Sequence, residues 1–172
     1  MACAVTSGRS LPCKNSVGGL KTIYILDYDP TIAALSDTSG TIDLTTGGDF
    51  FKFDIKGNSS LETAVNSSRE NGTTFYETSL NITFTFLDVA TQEQIKLLNA
   101  GRAHYVVEDY NGNQLLIGHK NGAEITGGTI VTGAAMGDLS GFTLVATAQE
   151  VAPPYFVSNL QVSATTPIDP DA

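Results

Sequence analysis

Positive charge is scarce in this chain, with nine Lys and Arg against eighteen Asp and Glu in 172 residues and a formal net charge of −9. The nine cations are spread along the sequence. A surface that grips DNA or RNA needs basic stripes to neutralise phosphates, so sequence-independent nucleic-acid binding is not expected. Repelling nucleic acid is compatible with the same balance. Long apolar runs are missing as well: no segment reaches the ~18 apolar residues of a membrane span, and the opening MACAVTSGRS lacks the apolar core of a signal peptide. A protein made and folded in a cytoplasm, without membrane association, is the expectation.

Chemistry-bearing residues are equally sparse. Cys3 and Cys13 are the two cysteines, ten residues apart with no histidine nearby. Free thiols in a reduced cytoplasm are expected ahead of a small terminal disulfide loop, and two cysteines make a poor zinc site. His104 and His119 are the two histidines. No G-x-S-x-G elbow or H-E-x-x-H pair accompanies them, and they read as ordinary surface or edge residues. The run from Asp109 to Asn113 imitates the start of a calcium loop, but Gln114 stands where the glycine belongs and Lys120 where the bidentate acid belongs. Asp27, Asp29, Glu62, Glu70 and Glu77 read as solvated carboxylates in or beside turns, without the pairing that general acid/base work requires.

Four N-glycosylation sequons, at Asn58, Asn66, Asn71 and Asn81, are attributed to composition. There is no phosphate-cradling G-x-x-x-x-G-K, no dinucleotide fingerprint, and no aromatic-basic interleaving for single-stranded nucleic acid. No catalytic, cofactor-binding or metal-ligating residue is assigned, no cofactor is expected, and the chain is read as a non-enzyme whose product is a surface.

What the sequence does contain is glycine, seventeen of them, with many Thr, Ser and Asn and 41% apolar residues. That composition suits short strands and tight turns, and the length suits one domain with a sizeable core. In residues 81–87 Ile82, Phe84 and Phe86 alternate with Asn81, Thr83 and Thr85. In 142–150 Phe142, Leu144, Ala146 and Ala148 alternate with Thr143, Val145 and Thr147. Both are half-buried strands by their period of two.

Further strands are expected at 20–26, 41–44, 50–55, 74–87, 104–108 and 115–117, while 31–37 is open between a helical turn and a strand edge. A helix over 91–99 is predicted, with Thr91 capping it in a box with Gln94, Ile95 and Leu98 on its apolar stripe, and Gly101 ending it in a left-handed conformation. Asn111-Gly112 and Asn121-Gly122 predict type I′ hairpin turns, and Gly127-Gly128 punctuates a meander of short strands. Residues 56–73 are polar and turn-rich, either disordered or a long hairpin arm that finds its partner elsewhere.

The expected fold is mainly β, a β-sandwich or open barrel of antiparallel strands with one short α-helix. Residues 1–19 form an N-terminal arm, 20–151 one domain containing the polar arm 56–73, and 152–172 a C-terminal arm with a strand at 156–162. Pro153 and Pro154 stop sheet pairing before that strand.

The pattern Gly101-Arg102, Tyr105-Val106-Val107-Glu108-Asp109, Asn111-Gly112-Asn113, Gly118, Asn121-Gly122, Thr126-Gly127-Gly128-Thr129 and the run from Gly133 to Gly141 resembles structural proteins of tailed bacteriophages. The run from Leu11 to Leu20 looks like the opening of the same kind of virion protein. The arrangement of strands, helix and polar arm is similar to that of tail tube proteins. The resemblance implies a β-sandwich subunit with a flanking helix that assembles into stacked, hexameric rings. Inner strands of neighbours pair into a closed barrel, and genomic DNA transits the lumen without specific binding.

It further implies Asn81, Thr83 and Thr85, or Thr143 and Thr147, as a polar lumen wall, and residues 56–73 with the two termini as contacts between rings. Partners would be further copies and other tail or connector proteins, in a virion made in the bacterial host cytoplasm. Alternatives of related kind are a tail terminator, a head-tail connector or a capsid decoration protein. A surface adhesion module is a reading of another class.

Overall fold

The computed structural model describes residues 5, 7–55 and 58–170. The described chain runs β1 (Leu20–Asp27), α1 (Pro30–Ala33), β2 (Thr41–Leu44), β3 (Phe51–Asp54), β4 (Ser60–Ser68), β5 (Thr73–Thr85), α2 (Val89–Ala100), β6 (Arg102–Asp109), β7 (Gln114–Ile117), β8 (Ala123–Val131), β9 (Gly141–Glu150) and β10 (Tyr155–Leu160). Their hydrogen bonds make one open, mixed sheet in the order β2-β10-β7-β6-β8-β9-β5-β4, with β1 alongside β6 and β3 alongside β1. The mainly β expectation therefore holds. One pairing departs from the antiparallel pattern: β10 runs parallel to β2.

β6 and β8 meet over only two residue pairs, Arg102 with Glu124 and Ala103 with Ala123. At that corner the sheet folds over into two layers. The alternating strands β5 and β9 bury Leu80, Ile82, Phe84, Phe142, Leu144, Ala146 and Ala148 against Ile23 and Ile25 of β1 and Tyr105 and Val107 of β6. The opposite face of β1 and β6 is buried too, with Tyr24 and Val106 packing on Ile32, Ile42, Leu44, Phe50 and Leu116. Burial on both faces explains why β1 and β6 read as continuous apolar runs, while β5 and β9 alternate.

Several local expectations change. The helix starts two residues earlier than predicted, and Asp88, not Thr91, is its cap: the Asp88 carboxylate accepts from the Thr91 backbone N–H at 2.7 Å. Gly101 has φ −138°, extended rather than left-handed, because the chain passes directly from α2 into β6. Ile95 is buried and Leu98 packs on the core, as the stripe required. β5 stops at Thr85. Phe86 takes φ 75°, donates its N–H to the Ser140 carbonyl and stands half-exposed, so it does not share the buried face of Ile82 and Phe84.

Neither Asn-Gly pair forms a type I′ turn, which needs positive φ at both residues. Only Gly112 (83°) and Gly122 (77°) of those pairs have it. At the first turn the Asp109 carboxylate accepts from the N–H groups of Asn111 and Asn113, both at 2.8 Å, so a side chain fixes a loop that backbone torsions alone were expected to set. Gly127-Gly128 is no turn either. β8 runs through it with a bulge between Ile125 and Gly127.

Residues 31–37, open in the sequence, contain most of the one-turn helix α1, capped by Asp29. The expected strand at 50–55 is β3, where Phe53 and the adjoining Ile55 pack on the first cluster while Lys52 and Asp54 are exposed; Phe50, just before it, is fully buried in the second cluster and Phe51 is 49% exposed. The strand expected at 156–162 is β10, which lies between β2 and β7 as an internal strand.

Candidate functional site

The polar arm is a regular hairpin. β4 pairs with β5 in unbroken register from Ser60 opposite Asn81 to Ser68 opposite Thr73, closed by a turn in which Gly72 has φ 62°. Its strand partner β5 lies within its own sheet, so residues 58–73 are structured and only the outer edge of β4 is left without a strand; Lys56 and Gly57 lie outside the described residues.

β5 pairs on its other side with β9, and β9 with β8, giving a four-stranded layer β4-β5-β9-β8. One face is the core. Register places Asn81 opposite Val145, Thr83 opposite Thr143, and Ser79 opposite Thr147 on the other face. The two polar stripes that the resemblance offered as alternatives, 81, 83 and 85 on one strand and 143 and 147 on the other, thus share one surface.

β8 adds Thr126 and Thr129, whose hydroxyls bond to those of Thr147 and Thr143. Glu77 accepts from Asn66 at 3.5 Å and from Gln149 at 3.3 Å, stitching β4, β5 and β9 across the same face. Sequence reading missed Thr126 and Thr129 because Gly127-Gly128 disguises a bulged strand as a turn. The threonines on either side of that pair were the available signal.

No Lys or Arg occurs in β4, β5, β8 or β9, while Glu62, Glu77, Glu124 and Glu150 do. The layer is bounded by open backbone. Among the described residues β4 has no strand on its outer side, and β8 meets β6 only at its first two residues.

The histidines are elsewhere and differ from expectation: His104 has no exposed surface and His119 has 5%. Nδ1 of His104 lies 2.7 Å from the Gly118 carbonyl, and Nε2 accepts the Asp29 N–H at 3.1 Å. His119 Nε2 lies 3.1 Å from the Ile32 carbonyl. Burial pushes both imidazoles below their ordinary pKa. Tyr28 stacks on His104 with Arg102 above it, and Tyr155 meets His119 edge-on. Both ring nitrogens of His104 and Nε2 of His119 are engaged by backbone groups, which binds α1 to β6 and to the turn after β7.

Of the remaining sequence candidates, Asp27 is exposed, and Asp29 accepts from the N–H groups of Thr31 (2.8 Å) and Gly48 (3.1 Å), hydrogen bonds that hold its carboxyl below the usual range. Glu70 sits in the exposed hairpin turn, and Asn81 lies within β5. Cys13 is a free, exposed thiol, and Cys3 lies outside the described residues. Among the described residues no three His, Cys, Asp or Glu side chains converge as metal ligands, and no helix is long and apolar enough to cross a membrane.

No protein-family model, curated protein or solved structure matches the chain. A functional reading therefore rests on the geometry. Its most developed surface is the base-free polar face with two open edges.

Proposed function

We propose that this protein is a non-enzymatic structural subunit of a phage tail, assembling into stacked rings that form a hollow tube for DNA passage. One observation carries the reading: a four-stranded layer whose inner face is core, whose outer face presents hydroxyl, amide and carboxylate groups around Val145 without a cation, and whose two edges are open. An isolated sheet edge invites uncontrolled pairing, and closing sheets into a barrel removes it. β4 of one copy can pair with the open side of β8 in the next. Because these are different surfaces, the contact is head-to-tail and closes into a ring when the rotation per copy divides a full turn. Six copies is the number implied by the resemblance.

In such a ring the threonine-rich face lines the channel. Basic side chains would displace counterions from DNA and hold it. Uncharged hydroxyls and carboxylates leave the counterion atmosphere in place, so the polymer slides. The test is negative-stain electron microscopy of the purified protein at high concentration with no partner added. Hollow rods of uniform width are the expected result. Small discrete particles alone would sink the tube reading and favour a connector or decoration protein that assembles only on a virion template.

A further inference from the structure

Three Asn-Gly pairs occur in the chain: Asn71-Gly72, Asn111-Gly112 and Asn121-Gly122. The dipeptide is chemically self-reactive, because the glycine nitrogen can attack the asparagine Cγ with no side chain to obstruct its approach. Attack requires the asparagine carboxamide to turn onto the main chain and the glycine nitrogen to leave its amide plane. How firmly the fold holds those two groups therefore decides which pair reacts.

At two of the pairs both groups are held. Gly112 donates its N–H to the Asp109 carbonyl at 3.2 Å. The Asn111 carboxamide is clamped on both sides: Oδ1 accepts from the Val17 N–H at 2.9 Å, and Nδ2 donates to the Val17 carbonyl at 2.7 Å and to Asp109 Oδ2 at 3.2 Å. Gly122, buried beside Arg102 and Tyr28, donates its N–H to the Gly118 carbonyl at 3.2 Å, and Asn121 Nδ2 donates to the Gln149 carbonyl at 2.7 Å.

Asn71-Gly72 is held by neither kind of bond. It lies in the exposed turn 69–72 between β4 and β5, with open space around Gly72. The Asn71 backbone N–H donates to Ser68 Oγ at 3.3 Å, while its carboxamide and the Gly72 N–H make no hydrogen bond among the described residues.

We infer that Asn71 is a self-modification site, at which the folded protein converts asparagine to aspartate and isoaspartate while Asn111 and Asn121 persist. The Gly72 nitrogen forms a bond to Asn71 Cγ, the Cγ–Nδ2 bond breaks, and the side-chain nitrogen leaves as ammonia with the proton that the Gly72 nitrogen gave up. Water, the sole co-reactant, then opens the resulting succinimide. Opening at Cγ gives aspartate; opening at the main-chain carbonyl gives isoaspartate. Either product adds one negative charge to the formal −9 of the chain. In isoaspartate the main chain runs through Cβ, so the turn that sets Ser68 opposite Thr73 gains a methylene at the end of the outer strand β4. This chemistry is independent of the tube reading.

The test is to age the full-length protein in mildly alkaline buffer and map its peptides by mass spectrometry, where conversion reads as a gain of about one dalton. Conversion at Asn71 should outpace that at Asn111 and Asn121 by about tenfold or more. Isoelectric focusing should show one more acidic species growing at the expense of the parent, and Asn71→Gln should abolish it. In urea-unfolded protein the three pairs should convert at similar rates, since the fold is what protects two of them. Conversion of folded protein at Asn111 or Asn121 as fast as at Asn71, or none at Asn71, would overturn the proposal. So would a bias toward Asn71 that persists in urea, because it would belong to the flanking residues and not to the fold.

Discussion

Nδ1 of His104 carries the proton, because it lies 2.7 Å from the Gly118 carbonyl, which can only accept, while Nε2 accepts the Asp29 N–H at 3.1 Å and has the Asp29 carbonyl farther off, at 3.3 Å. Protonating Nε2 would remove that acceptor inside the core. His119, between Ile32, Tyr155 and the carboxylate of Glu150, with Lys120 opposing it, is held neutral mainly by burial. Both folded-state pKa values lie below the ordinary value of about 6.5, so between the two the unfolded chain binds protons that the folded chain refuses. Stability from these residues is complete above about pH 6.5 and is lost as pH falls below it.

Asp29 and Asp109 titrate lower still. Hydrogen bonds from Thr31 and Gly48 hold Asp29 down, and bonds from Asn113 and Asn111 outweigh the burial that would raise Asp109. Their contribution disappears only when the pH drops below the normal carboxylate value of about 3.9. The urea midpoint should therefore fall in two steps, and His104→Gln with His119→Gln should flatten the upper one. His104→Phe, which strands the Gly118 carbonyl and the Asp29 N–H in the core, should lower stability at pH 7.5 by about 2–4 kcal/mol in the same titration.

Elements were legible where one face meets water and one meets core. β5 and β9 declare themselves through strict alternation, and α2 through Ile95 and Leu98. The helix start was misplaced because two residues compete for one cap: Thr91 with Gln94 matches a capping box, but Asp88 comes three residues earlier and its carboxylate reaches the Thr91 N–H first. Asp88→Ala should destabilise by about 1 kcal/mol, and Thr91→Ala by much less, in thermal melts of the two variants. A larger loss at Thr91 would return the cap to that residue. The hairpin β4–β5 escaped confident reading for a related reason: with both ribbon faces exposed near its tip, no hydrophobic period marks it, and its strands are held by backbone register and by hydroxyl pairs such as Thr63 with Thr78 and Ser67 with Thr74.

At the scale of the whole molecule, charge and topology meet on the β4-β5-β9-β8 layer. A cation-free face is useful for passing DNA only if it is the surface that DNA meets, and that makes a direct prediction. Rods of the wild-type protein should show no retention of duplex DNA in a filter assay at low salt. Thr143→Lys with Thr147→Lys, both on that face, should create retention that falls steeply between 50 and 200 mM salt, by about tenfold or more, as counterion release requires. Lysines at these positions that leave retention unchanged would mean that the face does not line the channel.

Which side chains share a strand face was determined by the sequence itself, since a period of two is written into the order of residues. That is why Asn81, Thr83 and Thr85, and separately Thr143 and Thr147, were identifiable as polar stripes. That the two stripes lie on one surface, that Thr126 and Thr129 extend it, and that its outer edges are open were decided only by strand register, which depends on contacts between residues far apart in the chain. The histidines divide in the same way. Two lone imidazoles carry no signal of burial in their local sequence, and only the packing of α1 against β6 and the turn after β7 surrounds them, because an apolar neighbourhood assembled from three separate segments has no local period to announce it.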